Sequence, residues 1–158
     1  KGGVFYDSIG YPLAASLMII NEKPISVMCS MSKNKTYGVV DFVKIQLKFE
    51  KSVYADLISG FGVQYKSTYS TLCERGILTA NRAFAIDSKT RPTVTINSDK
   101  GERTVELNEA DQFMLMLDSF CNDIKSNKIG HNLETILLQQ KIIDVAYLSS
   151  FKKSVINI

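Results

Sequence analysis

The chain has 158 residues, 45% hydrophobic and 22% charged with only three prolines, which excludes a disordered segment and suits one compact domain with a true core. A net charge of +3 arises from 19 basic and 16 acidic residues that are interspersed, so no basic block points to nucleic acid. No window reaches the length of a membrane span and no basic segment leads into a cleavable apolar run, so neither a membrane nor an export role is expected.

The chain opens on Lys1-Gly2-Gly3 without a methionine, directly before a strongly patterned segment, and reads as a piece of something longer. From about Ser8 to Ile20 nearly continuous apolarity predicts a buried helix closing at Asn21, with Pro12 in its first turns where a missing N–H costs least. The period then changes to two. Ile25, Val27, Cys29 and Met31 form one alternating set, and Val43, Ile45, Leu47 and Phe49 a second, so each strand has one apolar face. Val53 to Phe61 continues as a strand after a hairpin-length Lys51-Ser52 connection, and Ser67 to Cys73 follows. Gly76 separates Arg75 from the next strand, ILTANRAF. Thr93 to Asn97 and Arg103 to Leu107 flank the turn Ser98-Asp99-Lys100-Gly101 and make an antiparallel pair. Two helices close the chain. Phe113, Leu117, Phe120 and Ile124 recur at helical spacing in the first, and the second runs from Leu133 to about Ser149 with Asn132 as N-cap.

These elements predict a single α+β domain, residues 1–158: a large, mainly antiparallel open sheet of about six strands with its helices packed on one face. The other face then needs water or a partner. Cys29, Cys73 and Cys121 have no CxxC or Cys/His spacing and read as free thiols of a reducing compartment, with the cytoplasm expected. His131, the single histidine, has no acidic or thiol partner at ligand spacing and is assigned to the surface, so no metal site is expected. Met114 and Met116 read as helix filler and Lys152-Lys153 as an exposed tail.

The segment GGVFYDSIGYPLAASLMI resembles the opening of the C-terminal domain of the glucose-fructose oxidoreductase and inositol dehydrogenase family, in which Gly-Gly precedes Asp and, four residues on, His or Tyr. VVDFVKIQLKFEKSVYADLISGF is similar to that family's second and third sheet strands, and CERGILTANRAF to its glycine turn and following strand. ADQFMLMLDSFCNDI and LLQQKIIDVAYLSS are similar to its penultimate and final helices, so the likeness runs along almost the whole chain in order. RGILTANRAF and ADQF lean toward the branch acting on nucleotide-linked keto-deoxysugars, such as 3-ketoreductases of dTDP-sugar pathways. One departure is Ile9, where the family has a small glycine two residues after the Asp; here Gly10 comes one position later, which is expected to shift the backbone ahead of Tyr11.

The resemblance implies the C-terminal half of an NAD- or NADP-dependent oxidoreductase moving a hydride between nicotinamide and a sugar or nucleotide-linked keto sugar. An N-terminal Rossmann domain would hold most of the cofactor, and the open sheet face would form a homodimer or tetramer. This chain carries no GxGxxG phosphate loop, and its Glu22-Lys23-Pro24 spells the family's catalytic-lysine tripeptide in the wrong place. On the family spacing Tyr11 is the proton donor and Asp7 a substrate contact, while the backbone of Gly2 and Gly3 approaches cofactor and, at Gly3, substrate. Lys66 and Arg82 are cations positioned to meet a diphosphate, and Tyr65 and Tyr69 can stack on a sugar or base. Each has a plainer alternative: Asp7 as a helix cap, Tyr11 as a half-buried helix residue, the glycines as a flexible terminus, Lys66 and Arg82 as a solvated strand edge, and the tyrosines as sheet packing. The competing function is a noncatalytic dimerising or sugar-binding module of the same fold.

Overall fold

The computed structural model describes residues 2–128, 130 and 132–158, so His131 lies outside the described residues. The chain divides into two compact units, Lys1–Val63 with Asn132–Ile158, and Gln64–His131. The α+β class is as expected, but the strands form two antiparallel sheets of four rather than one sheet of about six. The break follows the strand Tyr54–Gly60, where the chain leaves the first ladder through Phe61 and a left-handed Gly62 (φ 71°).

The first unit begins with α1 (Val4–Asp7) and α2 (Gly10–Ile20) in place of the one helix expected from Ser8. Pro12 sits in the first turn of α2, and Asn21 ends it in the left-handed conformation, its N–H bonded to Leu17 O at 2.9 Å. Strands β1 (Ser26–Lys33), β2 (Val40–Lys48) and β3 (Tyr54–Gly60) follow as a meander. Their register stacks Val27, Leu47 and Ala55 in one cross-strand row and Cys29, Ile45 and Leu57 in the next. That face is the core, where Val27, Val43, Ile45 and Leu47 are fully buried with Val4, Phe5, Ile9 and Leu13 from the two N-terminal helices. Each such side chain contributes about 1.5–3 kcal/mol by leaving water. The alternate residues Phe42, Lys44, Gln46, Lys48, Tyr54, Asp56 and Ile58 are exposed.

Helix α4 (Leu133–Lys152) crosses β1, burying Ile142, Ala146 and Ser149 at helical spacing. Asn132 holds its N-cap position, although no side-chain bond caps the helix. Beyond α4 a short strand, β8 (Ile156–Asn157), pairs with Val27 and Ser26 at the edge of β1. This strand was missed because two residues carry too little periodicity to register. Past Val27 that edge has no strand partner among the described residues, and the buried Ser149 hydroxyl takes over. Its Oγ accepts from the Cys29 N–H at 3.0 Å and donates to Ser154 O at 2.6 Å.

The second unit is a meander of β4 (Thr68–Cys73), β5 (Gly76–Asn81), β6 (Thr93–Ser98) and β7 (Gly101–Glu106), followed by α3 (Gln112–Lys125). The strand expected over ILTANRAF stops at Asn81, because Arg82 turns left-handed at φ 52°. Asp111 caps α3, its carboxylate accepting from Phe113 N–H at 3.0 Å and Met114 N–H at 3.1 Å. Phe113, Leu117, Phe120 and Ile124 stay exposed, so this helix does not bury its apolar stripe on a sheet as expected.

The three thiols are free and differ sharply in environment. Cys29 is buried, and that burial pushes its thiol up to about 12, whereas Cys73 and Cys121 are exposed. A thiol-selective alkylating reagent at pH 8 is therefore expected to modify Cys73 and Cys121 in the native protein and Cys29 only after denaturation, read by peptide mass. The folded-state value lies above the unfolded one of about 8.5, so the neutral-thiol contribution is complete below that pH and is lost as pH rises toward 12.

Candidate functional site

The local fold of the Gly2–Tyr11 segment follows from one close approach. Gly3 has φ 91° and forms an isolated parallel bridge with Val40. A Cβ on Gly3 would press into the Val40 carbonyl oxygen and lie 2.8 Å from its nitrogen, so only glycine fits. Gly2 has nothing within 4 Å of a Cβ position and presents open backbone. From this pivot the Gly3 carbonyl accepts from the N–H groups of Tyr6 and Asp7, starting α1 and sending Val4 and Phe5 into the core.

Asp7 ends α1 with its side chain exposed. The capping alternative finds no bond, because α2 takes Ile9 as N-cap and has no side-chain cap. The helix breaks at Ser8 (φ −125°), whose hydroxyl donates back to Val4 O at 3.2 Å, and Ile9 then plunges into the core. Ile9 thus has a packing role in the core, and a helix break lies between Asp7 and Tyr11. Tyr11, the second residue of α2, is 52% exposed. Asp7 and Tyr11 consequently stand on two successive helices.

An aromatic group adjoins Asp7 that the sequence reading did not single out. Phe5 is buried edge-on to Tyr6 at 4.9 Å, and Tyr6 and Tyr147 of α4 lie with ring centroids 6.4 Å apart. No local pattern links residues so distant in the chain.

Lys66 and Arg82 belong to the second unit. The Arg82 guanidinium sits 5.1 Å above the Tyr65 ring, a cation–π contact at an exposed residue. Neither cation has a carboxylate partner among the described residues, where the ion pairs are Lys44–Asp56 and Arg91–Glu109. Tyr69 packs against Phe84 at 6.3 Å. Ser67 pins the same turn, its hydroxyl accepting from the Phe84 N–H and bonding the Phe84 carbonyl, both at 3.0 Å. Among the described residues no three His, Cys, Asp or Glu converge as metal ligands, and no helix is long and apolar enough to cross a membrane.

Comparison with known proteins adds the lineage. A variant of KijD10, a 3-ketoreductase from Actinomadura kijaniata, in complex with TDP-benzene and NADP, superposes with a TM-score of 0.88 at 23% identity, over 94% of this chain and 48% of that one. Aldose-aldose oxidoreductase from Caulobacter crescentus gives 0.79 at 19% identity, over 99% of this chain and 48% of its own. A putative oxidoreductase from Thermotoga maritima gives 0.76 at 18%, over 99% and 47%. The chain therefore spans about half the length of the structures it matches, and at these identities the likeness is one of fold. No curated protein matches it. The family model described as GFO/IDH/MocA C-terminal domain matches residues 1–79, half of the chain, and on that match the chain belongs to this family.

Proposed function

We propose that residues 1–158 are the substrate-facing and oligomerising domain of an NAD(P)-dependent oxidoreductase acting on a sugar or nucleotide-linked keto sugar. The observation that carries the reading is the family match over the very segment that contains Gly3, Asp7 and Tyr11. Support comes also from the neighbour that holds NADP and TDP-benzene. The nicotinamide supplies the hydride when bound. The N-terminal glycine pair makes no phosphate cradle: the space beside Gly3 is filled by Val40, and of the two only Gly2 offers open backbone. The dinucleotide is accordingly assigned chiefly to an N-terminal Rossmann domain.

This chain's part is to bind the sugar and to handle the proton. As a hydride reaches a ring carbonyl carbon, charge grows on its oxygen, and the Tyr11 hydroxyl donates the proton that completes the alcohol; in the reverse direction it receives it. The Asp7 carboxylate, bonded to nothing among the described residues, accepts from a sugar hydroxyl. Lys66 and Arg82 meet the diphosphate of a nucleotide-linked substrate. The free thiols support the reading of a reducing compartment, the cytoplasm. The experiment is an NAD(P)H absorbance assay of the whole protein against nucleotide-linked keto sugars and free aldoses; absence of turnover on both leaves the noncatalytic module as the answer.

The exposed face of the first sheet is the proposed oligomer contact. Phe42, Tyr54 and Ile58 there are 42%, 52% and 57% exposed on a surface otherwise polar. Replacing Ile58 by arginine is expected to lower the assembly to monomer, read by light scattering, because it buries an unpaired charge at the contact.

A further inference from the structure

We propose that the outer edge of the first sheet is a docking surface for a second copy of this chain, in which the strand Tyr54–Gly60 pairs antiparallel with its own counterpart across a twofold axis at Leu57. The inference concerns the edge of that sheet and not its face, and it depends on neither substrate nor cofactor. Strand β3 ends the order β3-β2-β1-β8. Its backbone direction is fixed at both ends: Phe49 N–H bonds Val53 O and Phe61 N–H bonds Asp41 O, each at 2.8 Å, so residues 53 and 61 turn toward β2. Direction alternates along a strand, so residues 55, 57 and 59 face β2 as well. The N–H and C=O groups of Tyr54, Asp56, Ile58 and Gly60 therefore point outward, and no strand pairs with them among the described residues.

An open edge is a template for another strand, and proteins guard it with proline, lysine, a bulge or brevity. β8 is guarded by its length of two residues, and β7 by Glu102, Arg103 and Glu106, all exposed. β3 has no such guard. Its seven residues, YADLISG, include no proline or lysine, and its register with β2 runs without a shift. The single charge is answered from within the chain: Asp56 Oδ1 accepts from Gln46 Nε2 at 3.1 Å and lies 3.7 Å from Lys44 Nζ.

The strand also fits its own reverse, which selects a second copy as the occupant. With Leu57 on the axis, Tyr54 pairs with Gly60 of the partner subunit and Asp56 with Ile58 of the partner subunit, so every outward group finds a mate. The tyrosine ring then covers a position that has no side chain, and each carboxylate lies beside an exposed isoleucine rather than another carboxylate. An axis at Asp56 opposes two carboxylates and sets Gly60 against Ser52, which is left-handed at φ 60°. An axis at Ile58 sets Tyr54 against Gly62, left-handed at φ 71°. Either shift runs the pairing off the end of the strand.

The test is amide hydrogen exchange of the whole protein at a concentration where light scattering shows assembly, read residue by residue by mass spectrometry with electron-transfer fragmentation. The N–H groups of Leu57 and Ser59 are protected by β2 in any state. Those of Asp56 and Ile58 are expected to exchange about 100-fold or more slowly in the assembly than in an edge-blocked variant. Two variants block the edge: Ile58→Pro removes an outward N–H that the chain itself does not use, and Asp56→Lys sets a lysine on the edge without touching the backbone. If the proline disturbs the fold, seen as lost protection at Leu57, the lysine variant supplies the comparison. Fast exchange at Asp56 and Ile58 beside slow exchange at Leu57 in the assembled protein overturns the proposal and leaves the sheet face as the contact. A protein that stays monomeric at every concentration overturns it too. Edge protection without hydride transfer to any sugar upholds the docking edge and sinks the oxidoreductase reading; turnover with an unprotected edge does the reverse.

Discussion

Replacing Tyr11 by phenylalanine in the whole protein is expected to lower kcat by about 100- to 10,000-fold while substrate affinity changes by only a few-fold. The substitution removes one hydroxyl and keeps the ring, and the site, the second residue of α2, is 52% exposed, so packing tolerates it. What disappears is the proton for the oxygen on which charge builds, an interaction that matters in the transition state more than in the ground state. Asp7→Asn should behave differently, raising KM more than it lowers kcat, because it weakens a contact to a sugar hydroxyl without touching the transferred proton. Steady-state kinetics of both variants separates the roles. An unchanged kcat for Tyr11→Phe returns this tyrosine to the status of an ordinary helix residue.

Gly3→Ala is expected to cost about 2–4 kcal/mol, a fall in Tm of about 5–15 °C, while Gly2→Ala stays within about 0.5 kcal/mol of the parent. The two positions are adjacent and look alike in sequence. Gly3 has φ 91°, and an added Cβ would meet the Val40 backbone, with the Val40 carbonyl carbon at 3.1 Å after the closer nitrogen and oxygen. Relief requires α1 to move, and α1 carries Val4 and Phe5, which are 0% and 1% exposed. Asp7 rides on the same turn, so the variant should also lose activity beyond what its stability explains. Gly2 meets nothing. Thermal unfolding of the pair decides between backbone packing and an open approach for cofactor: were Gly3 glycine for the cofactor's sake, alanine would leave Tm alone and weaken NAD(P) binding.

Legibility differed by the range of the interaction involved. The alternation of Val43, Ile45 and Leu47 against Lys44, Gln46 and Lys48 appears unchanged in the burial of β2. The turn around Asp99-Lys100 and the α2 stop at Asn21 were equally plain, since both depend on a few adjacent residues. The helix expected from about Ser8 is present as α2 from Gly10, whereas α1 before it, a single turn of four residues, carries too little periodicity to register. The Asp111 cap was available to the sequence reading, an acid directly before an apolar run, and was passed over. For the candidate site, the Gly3, Asp7 and Tyr11 pattern was visible through family spacing, whereas the Tyr65–Arg82 stack and the Tyr6–Tyr147 pair were not.

By itself the sequence determined the α+β class, the chain order of the long elements and the buried faces of β1 and β2, because side-chain direction repeats every two residues in a strand and every three or four in a helix. Only the tertiary structure decided that the strands form two sheets, that Ser149 serves Cys29 from 120 positions away, and that Val40 requires a glycine at position 3. Those outcomes depend on where distant backbone segments come to lie, and each consists of a contact between groups whose local patterns carry no trace of one another.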